Sequence, residues 1–245
     1  MSTFFVTADC IADNKITISG EDAHHISKVL RMAAGDHIKV SDMSKKIYNC
    51  KIEGFSRDEV YLNIESSEDS ITEPPYKATL FMALPKQDKM ELIIQKAVEL
   101  GVYRIVPFSS SRCVCKLDSQ GGEKKRERWQ KIAKSGAEQC GRAIIPEVHT
   151  PVTFKKALEM LMENQNPFMC YEGEETLSMK QYLDGKKDKG EEFAFMIGSE
   201  GGFSVEEARL IRENNVPTVS LGNRILRCET APLMVLSCLS MMYEM

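Results

Sequence analysis

The chain has no pair of cysteines at C-x-x-C spacing, and its eight cysteines stand singly apart from Cys113 and Cys115. That excludes the common zinc frameworks and leaves reduced, mostly buried thiols as the expectation. It also lacks G-x-x-x-x-G-K-[ST], which argues against a P-loop, and G-x-G-x-x-G, which argues against a dinucleotide fingerprint. Positive charge is not in excess: 32 Lys and Arg stand against 36 Asp and Glu, a net charge of −4, so any nucleic-acid site must be a local patch. Met1 to Asp13 has no basic start and no sustained apolar run, so a secretory signal is not expected. The uncharged run Thr230 to Tyr243 falls short of the ~20 residues of a membrane span. A soluble cytoplasmic protein without a metal is the expectation, and no internal repeat is present.

What is present fits one large or two small folded domains, with 245 residues of which 42% are hydrophobic. Phe4 to Thr7, Lys15 to Ser19, His37 to Ser41, Lys46 to Phe55 and Glu59 to Glu65 read as short strands. Glu21 to Met32 carries a narrow helical stripe of Ala23, Ile26, Val29 and Leu30. A small β-barrel with one helix is the expected form. Glu65 to Tyr76 is polar and ends in two prolines, so it is the expected linker, with a boundary near residue 72. Eight of the 32 basic and 12 of the 36 acidic residues lie up to Thr72, so basic charge is not segregated into one part.

Beyond the linker the period changes. Ala78 to Leu84 reads as a strand, and Met90, Ile93, Ile94, Ala97 and Val98 form the stripe of an amphipathic helix that Gly101 stops. Val102 to Phe108 completes a βαβ unit. Helices at Glu123 to Cys140 and Phe154 to Met162 and a strand at Phe168 to Tyr171 continue the alternation, which predicts a parallel sheet flanked by helices. Lys124, Lys125, Arg126, Arg128, Lys131 and Lys134 cluster around Trp129; a solvated helix face and a phosphate-binding patch use the same residues. Residues 111–122 and 184–192 read as surface loops.

The last fifty residues are the most informative. Phe193 to Ile197 is a buried strand running into Gly198, Ser199, Glu200, Gly201 and Gly202. Ser204 and Glu207 then stand at capping-box spacing before a helix over 205–214. Val216 to Leu221 is a second strand, followed by Gly222 to Cys228, and Pro232 fits the first turn of a final helix. In an open parallel sheet such loops lie where ligands bind. On the glycines alone, a tight connection and a ligand site both remain open. The final helix is apolar nearly all round, which demands burial on several sides.

I-G-S-E-G-G-F-S-x-x-E from Ile197 and L-G-N-R-I-L-R-C-E-T-A from Leu221 closely resemble the paired signature of the RsmE family, the small-subunit ribosomal RNA uridine-N3 methyltransferases of the SPOUT superfamily. That family usually has proline where Ser199 stands, and threonine is common at Cys228. H-H-I-S-K-V-L-R-M-A-A-G-D from His24, A-L-P-K-Q-D-K-M-E from Ala83 and A-E-Q-C-G-R from Ala137 match further family motifs, so the resemblance spans nearly the whole chain.

The resemblance implies an α/β fold in which a PUA-like β-barrel over 1–72 binds RNA. A SPOUT-like parallel-sheet domain over 73–245 would carry a trefoil knot. It also implies a homodimer that uses S-adenosylmethionine and acts on 16S ribosomal RNA, alone or in the assembled small subunit. Carried over residue by residue, cofactor contacts fall on Ile197, Gly198, Glu200, Gly201, Leu221, Gly222, Ile225, Leu226, Arg227 and Thr230. Catalytic roles fall on Arg227, as stabiliser of a uridine anion, and on Glu200 and Glu229, as proton acceptors or as groups that orient the arginine. RNA contacts fall on Lys28, Arg31, Lys86, Glu138, Gln139 and Arg142. For Lys28, Arg31 and Lys86 a solvated surface role stands beside the functional one. For Arg227 and Glu229 the alternative is a structural ion pair. A non-catalytic RNA-binding protein that keeps the methyltransferase shell is the rival class, and cofactor binding discriminates it.

Overall fold

A computed structural model of the chain describes residues 3–113, 119–172, 176–186 and 191–245. Parts of the two expected surface loops, 114–118 and 187–190, lie outside the described residues, whereas 119–122 of the first loop are helical. The chain divides into two compact units, Met1–Glu73 with Ala137–Ile145, and Pro74–Gly136 with Pro146–Met245.

The first unit is a six-stranded sheet of β1 (Thr3–Phe5), β2 (Ile11–Ala12), β3 (Lys15–Ser19), β4 (His37–Ser41), β5 (Lys46–Phe55) and β6 (Glu59–Asp69), in the order β1-β4-β5-β6-β3-β2. Every pair is antiparallel except β1 with β4. No ladder joins β1 to β2 among the described residues. Alternating side chains of β3 and β4, Ile16, Ile18, Ile38 and Val40, point into one core with Phe4, Ile52, Val60 and Leu62. The expected linker begins later than its polarity suggested, because β6 runs on to Asp69 and pairs with β5 down to Lys46.

The helix expected over Glu21 to Met32 is also different. An α-helical segment, α1 (Gly20–His24), opens into a π-turn over His25–Val29, with Leu30 N–H donating to His25 O at 2.9 Å, and Arg31 takes φ 55°. The widened turn keeps Ala23 and Ile26 in the core and leaves Val29 and Leu30 exposed, where a regular stripe had placed them inside.

A buried ion pair closes this unit. Glu73 accepts from Arg142 at 2.6 Å and 3.3 Å and from the N–H groups of Ala143 and Ile144 at 2.8 Å and 3.3 Å. Both side chains are almost fully buried, at 4% and 3% exposure. Ser41 Oγ donates to Ala143 O at 2.6 Å, and Thr72 Oγ1 to Gly141 O at 3.0 Å. These bonds fasten residues 141–144 within the first unit.

The second unit alternates strand and helix: β7 (Lys77–Ala83), α2 (Lys89–Glu99), β8 (Arg104–Ser109), α3 (Ser119–Cys140), β9 (Glu147–Val148), β10 (Val152–Thr153), α4 (Phe154–Met162), β11 (Asn166–Cys170), β12 (Leu177–Ser178), α5 (Met179–Asp184), β13 (Glu192–Ile197), α6 (Val205–Glu213), β14 (Thr218–Ser220) and α7 (Ala231–Tyr243). All its ladders are parallel, in the order β10-β8-β7-β13-β11-β14-β12 with β9 on β8. The inner strands read as unbroken apolar runs because helices cover both faces, and Phe81, Phe168, Phe193 and Phe195 are fully buried. All five stripe residues of α2 are buried.

The last helix only partly meets its expectation. Ala231, Val235, Leu236, Leu239 and Tyr243 are buried within this unit, but Met241 is 75% exposed and Met242 40%. Among the described residues no helix is long and apolar enough to cross a membrane.

Candidate active site

Three neighbouring strands, β13, β11 and β14, end on the same side of the parallel sheet. Their following residues enclose a cleft of about 560 Å³. The first wall is the loop after β13, Gly198 to Phe203. Its turn is closed by Gly202 N–H donating to Ser199 O at 2.9 Å. Ser204 and Glu207 then form the expected capping box that starts α6. Glu207 does more: its other carboxylate oxygen accepts from Ser111 N–H at 2.8 Å, which ties the segment after β8 to this loop. Arg112, from that segment, donates to Gly201 O at 2.9 Å. The second wall runs from Ser220 to Glu229 and leads into α7, and the third is Cys170, Tyr171 and Glu172.

Of the expected cofactor residues, Ile197, Gly198, Glu200, Gly201, Leu221, Gly222, Ile225, Leu226 and Arg227 all line this cleft. Thr230 does not. Its N–H donates to Arg227 O at 2.9 Å and it stands as the N-cap of α7, with no side-chain hydrogen bond to the helix.

The carboxylates are arranged differently from expectation. Neither Glu200 nor Glu229 orients Arg227. Both converge on Lys89, whose Nζ lies 3.0 Å from Glu200 Oε1 and 3.4 Å from Glu229 Oε2. Lys86 N–H donates to both oxygens of Glu200, at 3.1 Å and 3.3 Å, and the Cys228 thiol donates to Glu229 at 3.2 Å. Partial burial works to raise both carboxyl pKa values, but the Lys89 ammonium and the N–H donors outweigh it and hold them below the ordinary range. Both are therefore anions at neutral pH and weak proton acceptors. Burial, then the bond to Glu229, pushes the Cys228 thiol up to about 12, so it is not a nucleophile. Arg227 is exposed and, among the described residues, has no carboxylate within ion-pair distance.

Of the expected RNA contacts, Lys28 in the π-turn and Arg31 just after it are both exposed, and Lys86 is exposed beside the cleft. Gln139 is exposed and Glu138 half-buried, and neither lines the cleft. Arg142 must be corrected. Its guanidinium is held by Glu73 in the interior of the first unit and is not presented to a base. The Lys124 to Lys134 cluster lies on α3, where Trp129 is buried beneath Lys125, Glu123 pairs with Arg126, and Arg128 reaches Glu91 at 2.6 Å.

A family model described as an RNA methyltransferase domain matches residues 72–240, and one described as an RNA methyltransferase PUA domain matches 18–65. The ribosomal RNA small subunit methyltransferase E of Bacillus subtilis is 37% identical over 94% of this chain and 91% of its own length. The chain belongs to the small-subunit ribosomal RNA methyltransferase E family. Another relative of that name, from a Buchnera aphidicola of Acyrthosiphon pisum, is 30% identical over 92% of this chain and 87% of its own. Among solved structures, a methyltransferase from Legionella pneumophila in complex with the cofactor SAM has a TM-score of 0.86 at 30% identity, covering 98% of this chain and 96% of that one. The methyltransferase E of Neisseria gonorrhoeae bound to S-adenosyl methionine has a TM-score of 0.87 at 26% identity, covering 99% and 98%.

The cleft of this family member suits such a nucleoside. Its volume falls in the range of small-molecule sites, roughly 300–1,000 Å³. It offers loop backbone, apolar side chains of Ile197, Leu221, Ile225 and Leu226, and both signs of charge. Ser199, in place of the family's usual proline, is 7% exposed, and its hydroxyl has no partner among the described residues. The glycines are required for two different reasons. A Cβ on Gly201 would sit 3.1 Å from Arg112 Cβ, whereas Gly222 has open space around it but adopts φ +111°, a conformation that side chains resist.

Proposed function

We propose that this protein transfers a methyl group from S-adenosylmethionine to N3 of a uridine in 16S ribosomal RNA, presented either as RNA or in the assembled small subunit. The observation that carries the reading is the cleft itself: both signature loops meet there and Arg227 opens into it without a carboxylate partner among the described residues. Bound S-adenosylmethionine would supply an electrophilic methyl on its sulfonium. Backbone groups around Gly198, Gly201, Leu221 and Gly222 hold the nucleoside, and Ile197, Ile225 and Leu226 flank it. The N3 proton leaves to solvent water, and the guanidinium of Arg227 stabilises the uracil anion that then takes the methyl group. Glu200 and Glu229 take part as fixed anions that shape the field of the cleft.

In this reading residues 1–72 form the RNA-binding domain and 73–245 the methyltransferase domain, with the trefoil knot of the SPOUT superfamily around the two loops. The working form is a cytoplasmic homodimer. Exposed Met241 and Met242 on α7 support that pairing, since they would extend the apolar helix into an interface. Among the described residues no group of three or more His, Cys, Asp and Glu is placed to hold a metal ion.

Calorimetry tests the cofactor half. The purified protein should bind S-adenosylhomocysteine without added metal, and Gly222→Val should bind it about 10- to 100-fold more weakly, because forcing a branched residue into that backbone region costs on the order of 1–3 kcal/mol. No binding by the folded wild-type protein would return the chain to the non-catalytic class. The RNA half rests on Lys28 and Arg31 at the π-turn. Replacing both by alanine should weaken RNA binding, lower the slope of affinity against salt by about two counterions, and spare cofactor affinity. An unchanged salt series would make these residues a solvated face.

A further inference from the structure

Lys89 is the first residue of α2, where a cation opposes the positive end of the helix dipole and is disfavoured. Its charge is instead matched from outside the helix. Nζ stands between Glu200, in the loop after β13, and Glu229, in the loop after β14. The three side chains are only 28%, 26% and 19% exposed, so the contacts are partly shielded from water. No other lysine or arginine among the described residues pairs with both acids. From the geometry we infer that Lys89 is the positioning residue of the cleft: it cross-links the two signature loops through Glu200 and Glu229 and keeps both carboxylates away from Arg227.

The inference rests on the cleft being the cofactor site, yet it concerns the ligand-free protein as well. Glu200 has a second anchor in Lys86 N–H, and Glu229 has one in the Cys228 thiol. Among the described residues Lys89 is the one cation paired with an acid in each loop. With it gone, two carboxylates would face one another without a shared cation, and repulsion would separate the loops, draw one acid toward Arg227, or leave one of them protonated near neutral pH. The charged and titratable groups around Nζ are Glu200 from the first loop, and Glu229 and Cys228 from the second. Arg112, Glu172, Arg224 and Arg227 line the same cleft.

The test uses full-length Lys89→Met and Lys89→Arg. Hydrogen exchange of the ligand-free proteins should show the methionine variant exchanging faster in both 198–204 and 222–229, with the arginine variant close to wild type. Calorimetry with S-adenosylhomocysteine should show affinity about tenfold weaker in Lys89→Met, in the usual range of coupling between sites, and restored by arginine. The affinity of Lys89→Met should fall as pH rises, because ionisation of the second acid restores the repulsion between the loops, while wild-type affinity stays flat. Wild-type exchange in both loops, or loosening of one loop alone, would overturn the cross-link. Faster exchange of both loops without any ligand binding by the wild type would keep the cross-link and reject the cofactor reading. Should the methionine variant fail to fold, Glu229→Gln must loosen 222–229 and leave 198–204 unchanged; equal protection of both loops there would overturn it.

Discussion

Arg227→Ala is expected to lower methylation of small-subunit ribosomal RNA by about 10²–10³-fold, the effect of removing one preorganised stabiliser of a developing anion. Affinity for S-adenosylhomocysteine and for RNA should stay within about threefold of wild type, because the interaction exists only as charge appears on the base. The backbone should not suffer: the carbonyl of Arg227, not its side chain, receives the N–H groups of Thr230 and Ala231 that start α7, at 2.9 Å and 3.0 Å. Glu200 and Glu229 also keep their cation, since Lys89 holds both. A lysine in the arginine's place would be a poor substitute, as a point charge lacks the planar fork of donors that a delocalised imide anion accepts, so Arg227→Lys should recover only part of the rate. Single-turnover methylation with saturating cofactor and RNA reads this directly. Full activity in the alanine variant would remove Arg227 from the chemistry.

Arg142→Ala should cost about 3–5 kcal/mol of stability, because it strands the Glu73 carboxylate in the interior of the first unit with only backbone donors for company. The loss should appear in urea unfolding of the ligand-free protein. Replacing both partners by apolar residues, Glu73→Met with Arg142→Met, should recover much of it, since a buried pair contributes less than the penalty for breaking it. A loss below about 1 kcal/mol in the single variant would mean that water or a rearrangement takes over the carboxylate. The same burial is why the A-E-Q-C-G-R motif misled. Its arginine resembles a surface hydrogen-bonding group in sequence, and its partner lies 69 residues away in a stretch that reads as linker.

Patterns with a period or a cap were legible. The α2 stripe, the Ser204 and Glu207 capping box and the two glycine loops follow from spacing that only one local structure satisfies. Two-residue strands such as β9, β10 and β12 carry no period to read, and β6 continues through polar residues from Glu65 to Asp69, where both its faces are exposed. The π-turn was hidden for a related reason. Val29 and Leu30 fit the period of an α-helix, and one widened turn rotates them out of the core.

At the site, the residues contributed by the two signature loops were found, while Lys89, Arg112 and Cys170 to Glu172 were missed. They come from three separate connections, and only the strand order brings them to one place. The rule that ligands sit beyond strand carboxyl ends, applied to the strand read at Phe168 to Tyr171, could have found the last group. The structure adds a local reason for two of these glycines: a Cβ on Gly201 would crowd Arg112, and Gly222 holds a positive φ.

The central claim is tested most directly by the product. Small-subunit ribosomal RNA incubated with this protein and S-adenosylmethionine, digested to nucleosides and analysed by mass spectrometry, should contain one N3-methyluridine per molecule that is absent without the protein, while free uridine stays unmodified because the cleft borrows its base placement from remote RNA contacts. A methyl group on ribose, on cytidine or on guanosine, or N3 methylation of free uridine at a comparable rate, would contradict the account.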